Sequence, residues 1–210
     1  MKKFFIPGLL VVSFVLPMFL MGCAASVPKR AAEMSKQMNA QSSTVGDLQR
    51  RVDSMDTVLV NLQAARQADL KPLYTEYTDE LKRVKKAGDK SRNKYADMLD
   101  ARQAYIADFK TENKKLTDPT LRDAANTRYQ QTMASYDTLS NRSNNMQAAY
   151  NTYVTDLDQI NAFLTTDQTR EGIARINPAI QKARAAGDTL KKSAAEYQTA
   201  LNKTAESITR

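Results

Sequence analysis

The chain's one cysteine, Cys23, is the residue whose chemistry the sequence marks out most clearly. It directly follows the small residue Gly22 and closes a segment that begins with Lys2 and Lys3 and continues as an apolar run over residues 4–20. A charged start, a short apolar stretch and small residues at a point of cleavage form the layout of an export signal. Read as a transmembrane helix instead, residues 4–23 are near the minimum span, and Pro7, Gly8 and Pro17 interrupt them. The search for other chemistry returns little. There is no histidine, so Ser-His-Asp, Cys-His and imidazole metal sites are excluded. One cysteine also excludes thiolate clusters and a disulfide within the chain. The glycines beyond Cys23 stand singly at 46, 88, 172 and 187, and none belongs to a phosphate-cradling loop. Asp156 and Asp158 lie two apart and point to different faces of a helix, while Asp79-Glu80 and Asp97/Asp100 are interspersed with Lys and Arg. The expectation is a protein that is not an enzyme, with no catalytic residue and no metal site.

Leu20-Met21-Gly22-Cys23 resembles the lipobox of bacterial lipoproteins. The resemblance implies that residues 1–22 are a signal peptide cut off between Gly22 and Cys23, and that the Cys23 thiol carries a diacylglycerol. The only cofactor-like group it implies is this covalent acyl lipid, which holds the protein to a membrane. Ala24 stands where an Asp would be an inner-membrane retention signal. In a diderm bacterium the resemblance therefore implies an outer-membrane protein of the cell envelope facing the periplasm. An ordinary secretory signal and an uncleaved anchor are the competing readings of the same residues.

The net charge is +8, and Lys2 and Lys3 fall before the expected cut, which leaves +6 on the remainder. The most uneven stretch holds Lys82, Arg83, Lys85, Lys86, Lys90, Arg92 and Lys94 around a single acid, Asp89. Two readings stand side by side. The strip could hold an anionic partner, whether lipid head group, acidic glycan or acidic envelope protein. It could equally be a solvated helix face that keeps the protein soluble. Nucleic acid suits the charge, but an exported chain rarely meets any.

Apolar spacing sets the elements that must carry these residues. Met34, Met38, Val45, Leu48, Val52, Met55, Leu59 and Leu62 alternate steps of three and four, with Gln41 in the one gap. Leu70, Tyr74, Tyr77, Leu81, Val84, Gly88, Ser91, Tyr95, Met98, Tyr105 and Phe109 make a second seam. A third runs from Ala125 and Tyr129 to Ile160 and Leu164, and a fourth from Ile173 to Ile208. Such heptad seams predict an all-α, elongated, antiparallel up-down bundle with coiled-coil-like packing. The expected helices cover about residues 28–67, 72–116, 119–165 and 168–208. Asp118-Pro119 reads as a cap followed by proline at the first helical position. Thr165-Thr166-Asp167 offers a cap for the last helix, with Glu171 in its first turn. At residues 67–72 the chain turns or kinks, and Pro178 is expected to kink the last helix without ending it. Residues 23–30 read as a short lipidated tether and 31–210 as the bundle domain.

All nine tyrosines fall on seams, which suits core packing, with a stacking surface for a flat ligand as the alternative. Gln41, Ser91, Thr132 and Ser143 either loosen the core or fix helix register. Gly88 and Gly187 each sit in an Ala-Gly-Asp triplet, a trace of duplication or a pair of points of close helix approach.

From residue 69 to 208 the chain is similar to a family of uncharacterised bacterial helical lipoproteins. The resemblance rests on Asp69-Leu70 before Tyr74 and Tyr77, Phe109 before Leu116, Leu121-Arg122, Thr127-Arg128-Tyr129 with Met133, Met146, Asn161-Ala162, and Ile173 with Ile180. It implies a coiled-coil-like envelope lipoprotein and brings no activity. The resulting expectation is a lipid-anchored structural or interaction module. The alternative is a chaperone-like or anionic-ligand-binding module in the periplasm that uses the basic helix face. Attachment to peptidoglycan through a terminal lysine is disfavoured by Thr209-Arg210, and a homo-oligomer through the seams stays open.

Overall fold

The computed structural model describes residues 26–65 and 70–209. The expected signal segment, its cleavage point at Gly22 and the lipidation site Cys23 lie outside the described residues, as does Arg210. The described chain is almost wholly helical: α1 (Ser26–Ala64), α2 (Lys71–Asn113), α3 (Pro119–Thr166), α4 (Arg170–Arg175) and α5 (Asn177–Thr209). These helices pack on one another as the expected bundle. At 1.5 Å per residue, the 48 residues of α3 make a rod about 70 Å long.

Cross-helix contacts fix the directions. Along α1, Ser42, Gln49, Asp56 and Gln63 meet Gln198, Lys191, Arg184 and Asn177, so α5 descends as α1 rises. Arg30 meets Asp108 and Gln41 meets Ser91, which sets α2 antiparallel to α1. The chain therefore turns between α1 and α2. Tyr77 meets Leu157 and Asn113 meets Asn126 across α2 and α3. Lys182 meets Asp156 and Arg142 meets Glu196 across α3 and α5. The order around the bundle is α1, α2, α3, α5, each neighbour antiparallel to the next.

The core is the set of seams. Met34, Met38, Val45, Leu48, Val52, Met55, Leu59 and Leu62 of α1 are all buried, as are Leu139, Met146, Leu157, Ile160 and Leu164 of α3 and Ile180, Leu190 and Leu201 of α5. Burial stops short of the α2–α3 turn: no residue from 106 to 131 is fully buried. Arg30, near the start of α1, lies opposite Asp108, so the last turn of α2 and the first turns of α3 run past the ends of α1 and α5. That hairpin end has fewer helices to pack against.

Several expected boundaries move. The first helix ends at Ala64, short of 67, and the second at Asn113, short of 116. Residues 26–30 are helical, within α1, and so no longer part of a tether. Val27 packs on the core and Arg30 pairs with Asp108.

The expected fourth helix is two helices interrupted at Ile176 (φ −90°, ψ 4°). Pro178 has no N–H to offer the carbonyl of Ala174, so the ladder breaks there. It resumes with Ile180 N–H donating to the Ile176 carbonyl oxygen at 3.0 Å. The seam keeps its phase across the interruption, with Ile173 and Ile180 both buried.

Caps explain the remaining ends. The Asp118 carboxylate accepts from the N–H groups of Thr120 at 2.8 Å and Leu121 at 3.1 Å, and Pro119 follows it, as the sequence predicts. At the start of α4 the cap is Thr169, displaced from the expected 165–167. Its hydroxyl accepts from Gly172 N–H at 3.0 Å. Asp167 serves one step earlier, accepting from the Thr169 N–H and hydroxyl at 2.9 and 2.6 Å. Those bonds hold its carboxyl below its ordinary pKa. Gly172 leaves room for it, since a Cβ there would lie 2.5 Å from the Asp167 carboxyl carbon and push that side chain aside.

Candidate functional site

The structure tests the basic face of α2 side chain by side chain. The seven cations do not form one strip. Lys85 pairs with Asp158 of α3 at 2.7 Å, and Arg92 lies 5.9 Å from the centre of the Tyr150 ring on the same side. On the opposite flank, Lys90 pairs with Asp47 of α1 at 3.2 Å, and Arg83 shares Glu80 with Arg51 of α1 at 3.1 and 3.6 Å. Lys82 meets Asp79 at 3.3 Å, Lys94 meets Asp97 at 2.6 Å, and Arg92 meets Asp89. Among the described residues, Lys86 alone of the seven has no carboxylate partner. Exposed pairs of this kind contribute little to stability, about 0–1 kcal/mol each. Their consequence is electrostatic: six carboxylates, two of them from other helices, offset a run that looked unbalanced in the sequence.

The burial of two carboxylates escaped the sequence reading. Glu80 and Asp156 are only 4% and 5% exposed, and each is held by cations reaching in from outside. Glu80 has Arg51 and Arg83; Asp156 has Lys182 at 2.7 Å. Their signal lies in a shared pattern, Tyr77-x-x-Glu80-Leu81-x-x-Val84 and Tyr153-x-x-Asp156-Leu157-x-x-Ile160, in which the acid flanks the seam. Asp158 points elsewhere, as its spacing from Asp156 requires.

The tyrosines are core. Tyr77, Tyr105, Tyr136, Tyr150, Tyr153 and Tyr197 are buried and the other three half-buried. The Tyr77 hydroxyl donates to the Leu157 carbonyl oxygen at 2.6 Å, and that of Tyr150 to Lys85 at 3.4 Å. Gln41 donates to Ser91 at 3.2 Å and Thr44 donates to Gln41 at 3.1 Å, a polar layer joining α1 to α2. The Tyr197 hydroxyl lies near Gln41 and Ser143 without a well-formed bond. That layer supports the register-fixing reading of the seam polar residues.

Burial raises the pKa of Tyr77, Tyr136, Tyr153 and Tyr197 well above the ordinary 10. The folded state therefore keeps protons that the unfolded state loses. Stability is complete below pH 10 and falls as pH rises beyond it, by up to about 1.4 kcal/mol per unit for each such tyrosine. An alkaline titration is expected to show the phenolate absorbance of these four tyrosines appearing together with loss of helix. Ionisation of all nine tyrosines in a fully helical protein near pH 10 would contradict this burial.

The remaining feature is at the end of the bundle where the chain enters from Cys23. Val27, Pro28, Ala31, Tyr105, Phe109 and Ile208 line an apolar cavity of about 500 Å³ between the end turns of α1, α2 and α5 and the start of α3. Phe109 stacks on Tyr129 with ring centres 4.5 Å apart. Arg128 is the one charged residue on the wall, its guanidinium donating to the Ile208 carbonyl oxygen at 3.4 Å. The sequence could not reveal this cavity, because four helix ends assemble it.

No family model matches the chain, and neither a curated protein nor a solved structure is similar to it. The class that the fold defines is thus an antiparallel helical bundle, and the functional reading rests on this chain's own residues.

Proposed function

We propose that the protein is a lipid-anchored, non-enzymatic module of the cell envelope, structural or interaction-bearing, attached through an acylated Cys23. In a diderm bacterium its place is the outer membrane, facing the periplasm. One observation carries the reading: Leu20-Met21-Gly22-Cys23 at the end of a charged and then apolar leader. The bundle is compatible with it. Ser26 of α1 is only three residues beyond Cys23, so an anchored chain would stand close to the surface with its helices projecting away. Among the described residues no helix is long and apolar enough to cross a membrane, so attachment would depend on the lipid. The competing module that grips anionic ligands with α2 draws less support, since six of its seven cations already face carboxylates.

Mass spectrometry of the N-terminal peptide from bacterial membranes tests the anchor. The expected peptide begins at Cys23 and carries the added mass of a diacylglycerol. A peptide that retains residues 1–22, or an unmodified Cys23, would overturn the proposal.

A further inference from the structure

We infer that the apolar cavity at the end of the bundle is the seat of one acyl chain of the lipid on Cys23. The inference rests on the anchor proposed above and says where part of that lipid lies. Three observations converge on it. The first is place. Only residues 24 and 25 separate Cys23 from the start of α1, a reach of about 10 Å for three extended residues, and Val27 and Pro28 in the next positions are themselves wall residues.

The second is size and lining. A methylene group fills about as much space as a water molecule, whose share of the liquid is roughly 30 Å³. A cavity of about 500 Å³ thus takes a chain of fatty-acid length. Its walls are aliphatic and aromatic, with Arg128 as the single charged residue. The Arg128 guanidinium spends one donor on the Ile208 carbonyl oxygen and has others for an ester or amide carbonyl of the lipid.

The third is surroundings. The same end carries Leu121, at 59% the most exposed of the large apolar side chains among the described residues. One exposed Leu is ordinary on a protein surface, and it bears on the seat only through its place one helical turn before Ala125 of the cavity wall. Seating one chain would couple the anchor to all four long helices and hold the bundle's base against the membrane, where a loose lipid would let it swing.

The test is a crosslinking map. Cells making the full chain are fed a palmitate analogue with a terminal diazirine, the membranes are irradiated, and the crosslinked peptides are identified. The expected result is acylated Cys23 with crosslinks concentrated on the Tyr105–Phe109 segment and on the end of α5. Ala125→Trp, which fills the cavity from α3, is expected to remove most of those crosslinks while acylation and helix content stay unchanged. The wild-type map decides the matter even if that variant does not fold. Acylated Cys23 whose crosslinks fall on membrane lipid or elsewhere on the bundle would overturn the seat and leave the anchor standing. Unmodified Cys23 would overturn both.

Discussion

Replacing Gly88 by alanine is expected to destabilise the bundle by about 1–3 kcal/mol, although the same change in an exposed helix would stabilise it by close to 1 kcal/mol. A Cβ at Gly88 would lie 2.2 Å from Cζ of Tyr150 and 2.3 Å from its hydroxyl oxygen. That ring is buried, donates to the Lys85 carbonyl oxygen and sits beneath the Arg92 guanidinium, so moving it sacrifices packing and polar contacts together. The second Ala-Gly-Asp triplet provides the control. At Gly187 the added carbon would lie 3.1 Å from Tyr153 and 3.3 Å from Val52, which a shift of a few tenths of an ångström relieves. There the gain in helix propensity roughly offsets the crowding, and Gly187→Ala is expected within about 1 kcal/mol of the parent. Thermal melts followed by circular dichroism would read the contrast. For a chain of this size each kcal/mol shifts the midpoint by about 2–4 °C. Adding Tyr150→Leu should return part of the Gly88→Ala loss. A Gly88→Ala protein as stable as its parent would mean that Tyr150 does not rest on that glycine.

The two glycines also show what a sequence can and cannot disclose. Their triplets suggested either duplication or close approach, and the structure gives close approach: α3 sets Tyr150 into a notch on α2 and Tyr153 into a notch on α5. The seams were legible because three-and-four spacing is a property of one helix, readable without its partners. Asp118 with Pro119 was legible for the same reason, since a cap is local. Thr169 was missed as a cap because Asp167, two residues before it, carries an equally good acceptor.

What depends on a second helix was hidden. The run from Lys82 to Lys94 looked unbalanced because Asp47 and Asp158, distant in sequence, supply part of its counter-charge. The burial of Glu80 and Asp156 was hidden because the cations that permit it lie on other helices or on the helix's outer face. The end cavity, built from four helix ends, had no sequence signature at all.

If Cys23 carries the proposed anchor, changing it to serine, in a chain exported by an ordinary cleavable signal in place of residues 1–22, is expected to transfer the protein from the membrane to the soluble fraction. The expected change is from almost wholly membrane-bound to almost wholly soluble, because acyl burial contributes roughly 0.8 kcal/mol per methylene and two or more chains anchor stably where a single chain binds only reversibly. Nothing in the described bundle offers a substitute of that size. No helix among the described residues is apolar enough to span a bilayer, and Leu121 is a single exposed side chain. Six of the seven cations between Lys82 and Lys94 face carboxylates, and any attraction they retain is screened beyond about 8 Å at physiological salt. Fractionation with and without a high-salt wash separates the contributions. Release of the Cys23→Ser protein without salt assigns the attachment to the lipid. Release only by salt would return the basic face of α2 to consideration as a membrane contact. Retention through the salt wash would require an apolar contact by the bundle itself, and the end that carries Leu121 and the cavity is where it would have to lie.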